Sequence, residues 1–409
     1  MNLVFRLAWR NLWRHPKRTW LTTGAMVFSN TLLVFMIALQ FGMYGLMIDN
    51  TLQSFTGHMQ IQAPGYIDDQ KMRQTVADIV PLAESLRESL GSETIAARGM
   101  AFGLASSEDR SYGIAVFGVE PRYEKHVSTI PSLLSDGRFL TESEAAEIVI
   151  GAALARNLRV GVGDELTLLG SGRDGSFAAA VVDIVGIFDS GVADFDRSIA
   201  EMPLGFFQDV FFMEGSGHHI VINAPVIDAV PELQSRTSLL LPANQELVLH
   251  DWDALQPGLK QAIKADMSSA FFMYGILVIL VAFSVLNTQL MSVLERTHEF
   301  GIVMALGLRP GRLGRLVLLE TAIMGALGML LGAVLGGLLT YWLSIRGFSY
   351  PGMEELAAKF NLPSRFFPQV TAPTLLIGPS VVFAFTMLAA LYPALRLHRL
   401  RPVEAMRAI

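Results

Sequence analysis

Four long apolar runs constrain this chain more than any other feature. A helix that crosses a bilayer needs roughly 20 apolar residues. Residues 19–48, 267–294, 316–342 and 370–395 each meet that length, and Glu320 is the one charge among them. Only 17% of the residues are charged, against about a quarter in soluble domains. Between the first two runs lies an ordinary polar stretch, 49–266, long enough to bury its own core. The expectation is a membrane protein of four transmembrane helices with a large α+β domain between spans one and two. The first run follows a basic segment, as in a signal peptide. It is too long for one and shows no small-residue cleavage site, so it reads as an uncleaved anchor.

Charge placement orients the spans. Arg6, Arg10, Arg14, Lys17 and Arg18 precede the first; Arg296, Arg309, Arg312 and Arg315 separate the second and third; Arg396, Arg399, Arg401 and Arg407 follow the fourth. With four spans these three basic regions share one face, the cytoplasmic one, and both termini lie there. Residues 49–266 carry 31 acidic against 15 basic side chains, which suits the outer face. The chain then divides into an interfacial helix (1–18), span one (19–48), the outer domain (49–266) and span two (267–294). A cytoplasmic elbow (295–315), span three (316–342), a short outer loop (343–369), span four (370–395) and a cytoplasmic tail (396–409) complete it. The absence of cysteine excludes disulfides and cysteine-ligated zinc or iron–sulfur sites.

In the first segment, Arg6, Arg10 and Arg14 recur every four residues, with Phe5, Trp9, Leu12 and Trp13 towards the other face. This is the pattern of a helix lying in the membrane interface. The outer domain mixes strand-like runs, "GHMQIQAP", "GIAVFGVEP" and "FAAAVVDIVGIF", with a helix-like run that Gly91 ends. "SEAAEIVIGAALARNLRVGVGDELTLLG" reads as strand, helix, turn and strand; "PELQSRTSLLLP" fits either helix or strand.

Motifs for chemistry are few. No P-loop is present, so ATP has no such site here. "GSGRDG", Gly170 to Gly175, lies between strand-like runs and reads as a hairpin loop. His218 and His219 are adjacent, so on a strand they face opposite ways, and no third ligand has suitable spacing. Asp189, Asp194 and Asp196 lack the terminal glutamate of an EF-hand and read as a solvated loop. Glu320, one turn beyond Arg315, reads as an interfacial acid near the headgroups. Neither a catalytic constellation nor a resident metal or cofactor is expected, and nothing points to a nucleic-acid partner. Gly328, Gly332 and Gly336, spaced by four, form a face for close helix packing. Phe41, Met43, Tyr44 and Met47 end the first span; Met267, Phe271, Phe272 and Tyr274 begin the second. Adaptable side chains of these types make two readings open: a site for an acyl chain at the outer leaflet, or an aromatic belt.

The charged elbow reads as two short helices broken over 307–311. Gly301 and Gly307 permit tight turns, and Pro310 can open the next helix. Glu295, Arg296 and Glu299 offer charges to a partner, Phe300 and Met304 apolar anchors. This order of elements and "LMSVLERTHEFGIVMALGLRPGRLGRLVLLE" resemble the FtsX/MacB/Lol type of ABC-transporter permease, also called type VII, with a layout nearest the LolC/LolE-like lipoprotein-releasing permeases. Glu295, Arg296, Glu299, Phe300, Gly301, Ala305, Leu306 and Gly307 match the family's elbow. His298 and Met304 stand where basic residues are common. "LAWRNLWRHPKRTWLT", "EIVIGAALARNLRVGVGDELTLLG" and "LYPALRLHRLRPVEAMR" resemble its N-terminal helix, MacB-like periplasmic core and typical ending.

The resemblance implies a non-catalytic permease in a bacterial inner membrane, with its large domain periplasmic. ATP and Mg would sit on a separate cytoplasmic ABC ATPase dimer that binds the elbow at Glu295, Arg296, His298, Glu299, Phe300, Gly301, Met304 and Gly307. Work would pass across the membrane by mechanotransmission. Further implied partners are a second permease copy or paralogue, a periplasmic carrier or adaptor, and membrane lipid or lipoprotein. Extraction of lipoprotein or lipid from the outer leaflet is the first functional expectation. MacB-like efflux of peptide or small molecules through an adaptor and outer-membrane duct, or FtsX-like signalling to periplasmic enzymes, is the alternative.

Overall fold

The computed structural model describes residues 3–14, 16–242, 245–349, 351 and 365–397. The expected tail beyond residue 397 and about half of the short outer loop lie outside these residues. The chain divides into a helical unit and a mixed α/β unit that takes in residues 45–261.

The helical unit holds α1 (Leu3–Arg14), α2 (Pro16–Thr51), α3 (Pro257–Glu295), α4 (Thr297–Ala305), α5 (Pro310–Arg346) and α6 (Ala372–Arg396). The helices α2, α3, α5 and α6 are each long and apolar enough to cross a membrane. Met26, Leu33, Val278, Val281, Val285, Met324 and Val382 form their common apolar cluster, which Leu12 of α1 joins. The glycines of α5 set the distance to α2. A Cβ on Gly328 would lie 2.7 Å from the Met26 Cβ, one on Gly336 2.8 Å from the Val34 Cβ, and one on Gly332 would overlap Asn30. Asn30 Nδ2 donates to the Gly328 carbonyl at 3.1 Å, a polar tie that close approach permits.

The elbow is shorter than the sequence suggests. Gly307 stands at φ +94°, its N–H donates to the Met304 carbonyl, and Leu308 N–H donates to the Val303 carbonyl. These two bonds make the Schellman stop that a left-handed residue after a helix allows. Pro310 then opens α5 at once, so the third span and the second elbow helix are one helix. One glycine suffices for the turn; Gly301 sits buried inside α4 instead of at a bend.

The α/β unit is built on one ten-stranded sheet. Its strands are β1 (Met59–Gln62), β2 (Ile95–Ser106), β3 (Ser111–Val119), β4 (Leu134–Gly137), β5 (Glu147–Gly151), β6 (Glu165–Ser171), β7 (Phe177–Phe188), β8 (Ile199–Pro203), β9 (His219–Ile222) and β10 (Val248–Asp251). They lie in the order β10-β1-β9-β2-β3-β8-β5-β7-β4, with β6 paired to both β2 and β7. Gly170 to Gly175 closes the antiparallel β6–β7 hairpin, with Gly172 N–H bonded to the Ser176 carbonyl. "PELQSRTSLLLP" is helical over Val230–Leu240. The main core packs on the face carrying Met59, Ile61, Ala97, Val116, Ala200, Met202, Ile220 and Ile222. Asp196 is buried instead of solvated, because it accepts from both the N–H and the hydroxyl of Ser190.

Candidate functional site: a charged elbow with one face free

The elbow helix α4 is apolar on two sides. Phe300 and Met304, one turn apart, are 3% and 7% exposed and pack against Val293, Leu313, Val317 and Leu397. They are therefore core residues of this chain, and the expectation that they anchor a partner is corrected. The stripe left free holds His298, Ile302 and Leu306, the last two 45% and 84% exposed. Large apolar side chains offered at one-turn spacing suit a partner's groove.

The elbow's charges are also largely spent within the chain. Arg14, at the end of α1, pairs with Glu299 at 3.0 Å; Arg18, at the start of α2, pairs with Glu295 at 3.1 Å and with the Ser292 hydroxyl. Arg296 reaches both carboxylate oxygens of Glu320 on α5, at 3.2 and 3.3 Å, and lies over the Phe300 ring. Asn11 Nδ2 donates to the same Glu320 at 2.6 Å. Glu320 is 5% exposed, so it is a buried joint between α1, the elbow and α5 instead of an interfacial acid. Burying a carboxylate is tolerable because an arginine and an amide meet it. The sequence reading missed Asn11 and Ser292, had Arg14 as a topogenic charge on the basic face of an interfacial helix, and had Arg18 only as a topogenic charge. The signal for Asn11, Arg14 and Arg18 was their spacing of three and four residues, which repeats at helical period.

At the other end of the bundle, α2 and α3 meet through a polar network. Tyr44 donates to Asp266 at 2.5 Å, and Gln40 donates to both Tyr44 (2.7 Å) and Asp266 (3.2 Å). Tyr274 donates to the Gln40 side-chain Oε1 at 2.7 Å. The two tyrosines are committed to this network, which alters the expectation that they line an apolar site. Phe41, Met43, Met47, Phe271 and Phe272 stay exposed and Met267 half-buried. Among the described residues, no group of three or more His, Cys, Asp or Glu side chains is placed to hold a metal.

The MacB-like periplasmic core domain matches residues 19–237, and the FtsX-like permease C-terminal family matches residues 271–402. The lipoprotein-releasing system transmembrane protein LolC of Xylella fastidiosa is 25% identical over 71% of this chain and 72% of its own length. The macrolide export ATP-binding/permease protein MacB of Rhodospirillum rubrum is 25% identical over 99% of this chain, which spans 60% of that protein. The periplasmic region of MacB from Actinobacillus actinomycetemcomitans superposes with a TM-score of 0.38 at 17% identity, covering 52% of this chain and 96% of that one. A MacB-like core between the first two spans and an FtsX-like remainder account for nearly the whole chain, and the protein belongs to the FtsX/MacB family of ABC-transporter permeases.

Proposed function

We propose that this permease extracts lipidated protein or lipid from the outer leaflet of a bacterial inner membrane and passes it towards a periplasmic carrier. A separate cytoplasmic ABC ATPase dimer, holding ATP and Mg, supplies the work, and the chain itself is not a catalyst. The permease acts beside a second copy or a paralogue, with both termini cytoplasmic.

The observation that carries the reading is the two-sidedness of α4. One face is keyed into α3 and α5 by Phe300 and Met304 and tied to α1 by ion pairs; the other presents His298, Ile302 and Leu306. A push on the free face is thus delivered to the spans through a packed, interlocked joint instead of a loose loop. The MacB-like domain is continuous in sequence with α2 and α3, the two helices that flank it. An acylated cargo is favoured by the lipoprotein-releasing relatives and by the exposed Phe41, Met43, Phe271 and Phe272 on one chain.

The test is release from proteoliposomes containing the permease with its co-purified ATPase. An acylated protein and its unacylated form are offered with a soluble apolar-groove carrier. ATP-dependent transfer of the acylated form alone is the expected result. Export of an unacylated peptide or small molecule, with no transfer of the acylated protein, would overturn the lipoprotein reading in favour of efflux.

A further inference from the structure

The corner between α1 and α2 carries three unmatched cations. Arg14 and Arg18 are paired with Glu299 and Glu295. Arg6, Arg10 and Lys17 are exposed, and among the described residues none has an acid within ion-pair distance. Arg6 and Arg10 lie one turn apart on α1, on the side opposite the buried Ala8 and Leu12.

Beside these cations runs a ladder of exposed indoles. Trp9, Trp13 and Trp20 meet edge to face, with ring centres 6.2 and 6.3 Å apart. The second contact joins α1 to α2, so the two helices present one continuous surface there. Arg10 stands one turn before Trp13, and Lys17 one turn before Trp20. Each ring of that contact therefore has a cation as its neighbour on the helix surface.

Beyond Lys17 the same face of α2 is apolar. Helical spacing puts Trp20, Leu21, Gly24 and Phe28 in line with it, and all are exposed. A Cβ on Gly24 would meet nothing within 4 Å, so a notch lies between Trp20 and Phe28, one turn to either side. From Lys17 to Phe28 the helix rises roughly 17 Å, close to the ~15 Å of one hydrocarbon leaflet. A cation at one end and a bare groove one leaflet long have the polarity of a single phospholipid. A soluble partner fits this face poorly, because it would have to follow the groove down a helix long and apolar enough to cross the membrane.

We propose that this corner binds an anionic phospholipid of the cytoplasmic leaflet, the side to which the basic flanks assign it. Arg10 and Lys17, with Arg6 beyond them, hold the phosphate and its anionic headgroup through charge-assisted bonds. The indole ladder sits at the membrane boundary, where tryptophan is favoured. One acyl chain follows Trp20, Gly24 and Phe28. A zwitterionic lipid fits the groove but carries its own cation, so it gains less from the three charges. The lipid seats on the helix that ties down the elbow, since Asn11 and Arg14 of α1 reach Glu320 and Glu299. The site does not depend on which cargo is moved.

The probe is phosphatidylglycerol brominated on its acyl chains, with brominated phosphatidylcholine as the zwitterionic counterpart; bromine quenches a tryptophan that it touches. The full chain is reconstituted in phosphatidylcholine vesicles with Trp252→Phe and Trp342→Phe, which leaves the three ladder residues as its only tryptophans. The anionic lipid is expected to compete for the ladder about fivefold better, the effect of one cation–headgroup contact. In the triple variant Arg6→Gln, Arg10→Gln and Lys17→Gln the ratio is expected to fall to about one. Equal quenching by both lipids in the parent, or a ratio unchanged in the triple variant, would overturn the proposal. Arg309→Gln with Arg312→Gln, exposed positions elsewhere, should leave the ratio as it is; an equal fall there would mean a diffuse surface potential and no site. Affinity purification of the triple variant should recover the ABC ATPase as the parent does. Loss of the ATPase would mean that these cations meet that protein instead of lipid. Should the triple variant not insert, salt decides on the parent: the preference should vanish at 1 M, where the screening length is about 3 Å, and a preference that persists would overturn the proposal.

Discussion

Two polar constellations in this protein have a buried centre, Glu320 in one and Arg98 in the other, and they are settled in opposite ways. At the elbow each charge in the joint has a matching partner: Arg296 and Asn11 for Glu320, Arg14 for Glu299, Arg18 for Glu295. In the outer domain Arg98 takes Glu124, while Glu201, Gln62 and His219 keep atoms with no protein partner. A matched set resists being pulled apart and so fits a mechanical joint. An unmatched set stores unsatisfied bonding capacity, which a proton can meet.

The largest effect is expected from breaking the matched set on one side. Glu320→Leu removes the buried partner of Arg296 and leaves it a 3.6 Å contact with the half-exposed Glu299; loss of about 3 kcal/mol follows from the broken pair. Thermal unfolding in detergent reads it. The double change Glu320→Leu with Arg296→Met should recover most of the loss; no recovery would mean that the joint is not a charge pair. Gly332→Ala is next. Its methyl group meets Asn30 on α2, and overpacking of this kind costs about 1–3 kcal/mol. Gly45→Ala, where nothing lies within 4 Å, is the control.

The unmatched set predicts a gain instead of a loss. Burial and the nearby Glu124 raise the Glu201 carboxyl well above its ordinary 4.5, against the opposing influence of Arg98. The native state therefore holds a proton that the unfolded chain releases above about pH 4.5. Stability from this group is complete below that pH and is lost as pH rises towards the folded value. Glu201→Gln keeps the shape without the proton, so it should stabilise at neutral pH. The gain should fade below pH 4.5. A pH-independent difference between variant and parent would contradict the assignment. His218 contributes with the other sign. Burial takes it down to about 4 from 6.5, so stability falls as pH drops below 6.5 in both proteins. The smallest effect is expected at Glu299→Gln, since its pair with Arg14 is largely solvent-exposed and such pairs contribute at most about 1 kcal/mol.

Much of the fold was legible because pattern and length sufficed. "FAAAVVDIVGIF" is β7 from end to end, and Gly91 ends the helix Ile79–Leu90 at φ +62°. The strand β2, "IAARGMAFGLAS", was not read. Its glycines look like loop residues, yet a Cβ on Gly99, or on its partner Gly118 in β3, would collide with Phe207, so both are small to admit an aromatic ring. Its Arg98 looks like a surface charge and is fully buried. The elbow was legible as an elbow but not in its facing. Phe300/Met304 and Ile302/Leu306 are both apolar pairs at one-turn spacing, and only the packing of α3, α5 and Leu397 chooses between them.

That choice is the claim most open to a direct measurement. Ile302→Asp with Leu306→Asp places charge on exposed positions, so membrane insertion and thermal stability should match the parent. Recovery of the ABC ATPase by affinity purification of the permease is expected to fall at least tenfold. Full ATPase recovery with this double variant would contradict the account that the free face of α4 receives the work of ATP hydrolysis.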